Sequence, residues 1–189
     1  MAIDHIPINQ NDYLDAVNDM LGAIGEPAVL QLDDGNADVS NAVRILTRVN
    51  RMVQSKGWNF NINESAELVP DLQDNRIRYL ASYLRVMTTG SASFYQNVGG
   101  YLYDLSTQST TFTSSVIVEL IELKPFSEMP TVFRDYIVAK ASREFNAKFF
   151  GSAESEVFLS EQERELYIAI NEYELDTGRY NLMDGIGRE

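Results

Sequence analysis

The chain of 189 residues contains no cysteine and a single histidine, His5. The first absence excludes disulfides, thiol catalysis and cysteine-ligated zinc, and it fits synthesis in a reducing cytosol. The second leaves a Ser-His-Asp triad only one residue to use, in an N-terminal tail, and rules out a histidine-rich metal site. No metal or cofactor is expected. Lys and Arg are scarce, 15 against 28 Asp and Glu, for a net charge of −13. Residues 1–40 carry −8, residues 41–150 carry +2 and residues 151–189 carry −7, so the two ends are acidic. Phosphate contacts need clustered cations, which disfavours ordinary nucleic-acid binding. Such acidity serves solubility, meets basic faces between copies of the chain, or repels a polyanion. No apolar run approaches the roughly 18 residues of a membrane span, so no membrane insertion is expected. The start, MAIDHIPINQNDY, lacks Lys, Arg and an apolar stretch and does not read as a signal peptide.

The most informative stretch present is Asn41 to Ile62. Ala42, Leu46, Val49 and Val53 recur at helical spacing, while Arg44, Arg48 and Arg51 fall on the opposite face. Gly57 breaks the pattern, and Trp58, Phe60 and Ile62 then alternate with asparagines as a half-buried strand would.

Around this joint the periodicity predicts four helices. The first covers Tyr13 to Ile24, capped by Asn11 or Asp12, with Leu14, Val17, Leu21 and Ile24 as its apolar face. The second runs from about Ala37 to Lys56. The third starts at Ser127 or Glu128 and ends near Phe150, before Gly151. The fourth spans Glu154 to Thr177, with Phe158, Leu159, Leu166, Ile170 and Tyr173 inward and Glu161, Glu163, Glu165 and Glu172 over the rest. Between the second and third lie strand signals. Ser93 to Ser106 reads as a hairpin about Gly99-Gly100, and SVIVELIEL, from Ser115 to Leu123, reads as a buried strand. Arg76 to Met87 is ambiguous between strand and helix. The predicted fold is α+β: a four-helix bundle from both chain ends (1–57 and 125–189) with an inserted antiparallel β subdomain (58–124).

No phosphate loop, GxGxxG, HExxH or GxSxG motif occurs. Glycoside hydrolysis by a carboxylate pair stays open, but it needs two acids about 5–10 Å apart in a cleft, and 28 acids make close pairs inevitable. Asp104, Glu119 and Glu122 are the acids beside apolar segments. The aromatic group Phe94, Tyr95, Tyr101, Tyr103 and Phe112 suits a small core or an interface better than ring-stacking on a sugar or base. Arg44, Arg48 and Arg51 suit acids of a neighbouring helix or subunit better than phosphates. The residues alone point to a non-enzymatic α+β interaction module.

Several segments carry a resemblance in number, order and spacing. They are Ala16 to Val29 (AVNDMLGAIGEPAV), Asn36-Ala37-Asp38 with Asn41-Ala42, Gln54 to Ile62 (QSKGWNFNI) and Gly99 to Asp104 (GGYLYD). Glu128-Met129-Pro130, Lys140 to Arg143, Phe149-Phe150-Gly151 and Tyr180-Asn181 continue it. None is catalytic. Together they make the chain resemble the tail tubular protein A family, head–tail adaptors of short-tailed lytic bacteriophages. The departure expected from the resemblance is at the C-terminus, a little early after Asp184-Gly185, where contacts made by a longer tail are in question.

The resemblance implies a structural virion protein of the phage tail, assembled in the host bacterial cytoplasm. It implies a dodecameric ring between the portal protein and the tail nozzle (tubular protein B), helping to anchor the tail fibre protein. Genomic DNA would pass through the lumen without sequence-specific binding. The helical domain would face the portal and the β subdomain the nozzle or fibres. Candidate interface residues are Arg44, Arg48, Arg51, Tyr95, Tyr101, Tyr103, Glu161, Glu165 and Glu172. The alternatives are a virion-borne polysaccharide hydrolase and, less favoured, a DNA-binding module.

Overall fold

A computed structural model describes residues 10–32, 35–88 and 94–178. His5, Asp33-Asp34 and the motifs at Tyr180-Asn181 and Asp184-Gly185 lie outside them. The chain is α+β, and its described residues divide into two compact units, one within 51–125 and one within 10–50 and 126–178.

The second of these units is helical. Helix α1 (Gln10–Gly22) buries Tyr13, Ala16, Val17, Met20 and Leu21, an i, i+3, i+4 stripe shifted from the one the sequence suggested. Leu14 and Ile24 are only half-buried. Helix α2 (Ala37–Gln54) starts at Asn36, whose side-chain oxygen accepts the Asp38 N–H at 2.8 Å. Its face of Val39, Ala42, Ile45, Leu46 and Val49 is sealed from solvent.

The third predicted helix is divided. A 3-10 turn (Phe126–Glu128) precedes Pro130, whose extended backbone halts it, and α3 runs Thr131–Phe145. One π-helical turn, Asn146–Phe150, closes on left-handed Gly151 (φ 65°). Buried Asn146 accepts the Ser152 N–H at 3.2 Å and donates to the Ser152 carbonyl at 3.0 Å. Ser152 in turn caps α4 (Ala153–Thr177) through the Ser155 N–H. Edge-to-face rings join the helices: Tyr13 to Phe126 at 5.2 Å, and Phe133 of α3 to Tyr173 of α4 at 5.9 Å.

The other unit holds β1 (Ile62–Leu68), β2 (Tyr83–Thr88), β3 (Tyr95–Val98), β4 (Tyr101–Asp104) and β5 (Val116–Glu122). β5, last in sequence, is the central strand of an antiparallel sheet ordered β1-β5-β2. β3 and β4 form a hairpin whose Gly99 and Gly100 both have positive φ, 61° and 85°. The ambiguous Arg76–Met87 stretch contains no helix. Ile77 accepts the Leu102 N–H at 2.8 Å and β2 follows. The core gathers Ala66, Leu68, Ile77, Val86, Leu102, Phe112, Val118 and Leu120.

The strand expected from Trp58 begins at Ile62 instead. Trp58 to Asn61 form a turn because buried Asn61 folds back over it. Asn61 Oδ1 accepts the Trp58 N–H at 2.8 Å, and its Nδ2 donates to the carbonyls of Gln54 (3.0 Å) and Glu122 (2.9 Å). The fully buried Gln54 side chain donates to the Lys124 carbonyl at 3.0 Å and accepts the Lys124 N–H at 2.8 Å. The Trp58 indole N–H reaches the Val53 carbonyl at 2.8 Å. Gly57, at φ 82°, permits the close approach of Ile121, whose Cδ1 would sit 2.6 Å from an added Cβ.

Asn61→Ala strands one buried N–H and leaves two carbonyls short of a donor. It should destabilise the β unit by about 3 kcal/mol. Urea titration followed by the fluorescence of Trp58, the sole tryptophan, should show the midpoint fall.

Candidate functional site

The candidate residues form surfaces rather than a cleft. On α2, Arg44 and Arg48 lie one turn apart and both are exposed. Arg44 Nη2 donates to Asn41 Oδ1 of its own helix at 3.1 Å. Arg48 pairs with Glu144 of α3, which Lys148 also approaches at 3.5 Å. Arg51, in the β unit, donates to the Ala81 carbonyl at 3.2 Å. Among the described residues, Arg48 thus pairs with an acid of a neighbouring helix, while Arg44 meets an amide of its own helix.

Glu161, Glu165 and Glu172 all lie exposed along α4. Glu161 pairs with Arg164 one turn on. Glu163, grouped with them by sequence, instead faces α3, where Lys140 (2.6 Å) and Arg143 (3.0 Å) hold its carboxylate; Arg143 also binds Glu156 at 2.7 Å. Burial pushes the Glu163 carboxyl up. The hydrogen bonds and charges of Lys140 and Arg143 outweigh it and hold the group below its ordinary 4.5.

Phe158, assigned inward from sequence, is 69% exposed. Sequence reasoning also missed three apolar residues on the outer face of α4. Val157, Ile168 and Leu175 are 72%, 47% and 67% exposed. Their spacing of eleven and seven residues was the available signal, since it repeats after three and two turns. A second face, between α1 and α3, is acidic: Asp15, Asp19 and Asp135 share a groove of about 210 Å³. Burial, then the charges of Asp15 and Asp135, raises the Asp19 carboxyl above its usual range.

The tyrosines do not form one platform. Tyr95 pairs across from Asp104 and packs on Phe112 with ring centroids 6.3 Å apart, half-buried against the β core. Tyr101 and Tyr103 lie on the other face of the hairpin, where the Arg76 guanidinium sits 5.0 Å over the Tyr101 ring. Two of the three acids weighed for hydrolysis, Asp104 and Glu122, have structural partners. Asp104 accepts from the Ser106 hydroxyl and N–H at 2.6 and 2.8 Å, and Glu122 pairs with Lys124 at 2.8 Å. Burial pushes the Asp104 carboxyl up, but these bonds and those of Thr107 keep it below its ordinary range, the wrong direction for a general acid. Among the described residues no group of three or more His, Cys, Asp or Glu is placed to hold a metal ion.

Residues 14–180 match the profile of a family described as tail tubular protein. Tail tubular protein A of Klebsiella phage KP34 is 34% identical to this chain over 117 residues, 62% of each protein. The match therefore covers less than two thirds of that curated relative's length.

Acidification tests the α3–α4 ion network. A carboxyl depressed in the folded state stabilises fully above its unfolded value, near 4.5, and that contribution is lost as pH falls through the lower folded value. Melting temperature should drop below pH 4.5 more steeply in the wild type than in Glu163→Gln, which should start lower at neutral pH and show a flatter acid limb.

Proposed function

The chain belongs to the tail tubular protein family, and from that membership we propose that it forms a dodecameric ring adaptor between the portal and the tail nozzle of a bacteriophage. It is a structural component of a phage tail and not an enzyme. The family match over residues 14–180 carries the proposal. The geometry supports it: acids stand in ion pairs and turns, while charged and apolar stripes face outward.

In this reading the helical unit binds the portal and the β unit binds the nozzle or helps to anchor the fibre protein. Assembly takes place in the host cytoplasm. No helix among the described residues is long and apolar enough to cross a membrane. Genomic DNA passes through the lumen without sequence-specific contacts. At −13 per chain, acids on the channel wall repel phosphates that come within the screening length of about 8–10 Å, so DNA slides instead of sticking.

Electron microscopy of the purified chain mixed with its portal should show a twelve-fold ring capping the portal; bare portals at saturating chain would overturn the adaptor reading. Acid-to-Lys variants on the channel wall should slow genome ejection in a DNA-release assay. Unchanged ejection would remove the electrostatic part and leave the ring intact.

A further inference from the structure

A closed ring of identical chains needs two different, mutually complementary faces on each copy. The helical unit carries such a pair. On α4, Val157, Glu161, Ile168, Glu172 and Leu175 fall within a stripe about 60° wide, with Glu165 just beyond, running about 27 Å from Val157 to Leu175. The three apolar members are roughly half to three-quarters exposed. Carboxylates flank them on one side. On α2, Arg44 and Arg48 stand exposed one turn apart, about 6 Å along the axis, the same separation as Glu161 and Glu165.

We propose that the outer face of α4 in one copy packs on the Arg44–Arg48 face of α2 in the next copy, and that this contact repeats around the ring. The inference rests on the ring reading above and specifies its subunit interface. Arginine suits both halves of the α4 stripe. Its aliphatic stem covers apolar side chains, while the guanidinium reaches the neighbouring carboxylates in paired hydrogen bonds. The symmetric alternatives are less favourable: α4 against α4 sets Glu165 and Glu172 on their own copies, with Arg164 at the stripe's edge already paired to Glu161, and α2 against α2 sets base on base. That leaves the head-to-tail contact, the type that closes rings. The acidic α1–α3 groove is the competing receiver for the arginines. It lacks the long apolar line, and Arg134, 3.9 Å from Asp12, already stands in it as a cation.

The test uses a charge swap on portal-bound chains, with circular dichroism to verify folding. R44E/R48E and E165R/E172R should each cut ring yield on the portal at least about tenfold. An equal mixture of the two should restore it, because alternating copies again set acid against base around an even-numbered ring. Arg44→Glu alone keeps the Arg48–Glu144 pair and serves if the double variant misfolds. Full rings from either folded variant by itself would overturn the interface, as would a mixture that stays unassembled. Loss of rings on reversing Asp19 and Asp135, with E165R/E172R unaffected, would place the arginines in the other groove. Absence of rings from wild-type chain would defeat the ring reading itself.

Discussion

The β unit hangs on two buried amides. A helix end leaves its last carbonyls without partners, and burying them unpaired costs about 1–3 kcal/mol each. Within the β unit, residues 51–54 end the helix, and the side chains of Gln54 and Asn61 add to the Gly57 N–H that the Gln54 carbonyl accepts at 3.1 Å. Gln54 pairs with both backbone groups of Lys124, as a neighbouring strand would. Asn61 ties the Gln54 carbonyl to the Glu122 carbonyl and closes the Trp58 turn between them. Ile62 then enters the sheet opposite Ile121, which sets the register of β1 on the central strand. Gly57 belongs to the same constraint, since a side chain there would meet Ile121.

The helical unit repeats the device with different residues. Asn146 bridges to Ser152 across the turn from α3 to α4, and Gly151 supplies the left-handed step. That turn orients α4 so that Glu163 meets Lys140 and Arg143 while Val157, Ile168 and Leu175 look outward. A side chain's role on α4 therefore follows from its angle about the axis. Glu163 and Glu165 are two residues apart, yet one is a half-buried partner of α3 and the other lies on the exposed face.

This arrangement suits a protein that works by its surfaces. Asp104 and Glu122 hold turns and ion pairs, and the aromatic hairpin divides into a core face and a solvent face. What remains exposed on α2 and α4 is charge and apolar area laid out in lines.

Much of this architecture can be read from the amino-acid sequence. The helices show themselves because burial on one side imposes a 3.6-residue period, as on α2, and the Gly99-Gly100 turn because few other pairs tolerate two positive φ angles. Gly151 as a helix stop follows from the same steric fact. The motifs shared with the tail tubular family are likewise properties of the linear chain. Tertiary structure alone decided the rest. Trp58 and Phe60 alternate like a strand, but the Asn61 side chain captures the backbone first, and its partners Gln54 and Glu122 are brought to it only by folding. Tyr95 and Tyr101 look alike in sequence, and the hairpin's pleat sends them to opposite faces. Phe158 looks like core and is exposed, whereas Glu163 looks like surface and is paired. Periodicity says which residues share a face; it does not say which face has a neighbour, because that depends on contacts distant in sequence.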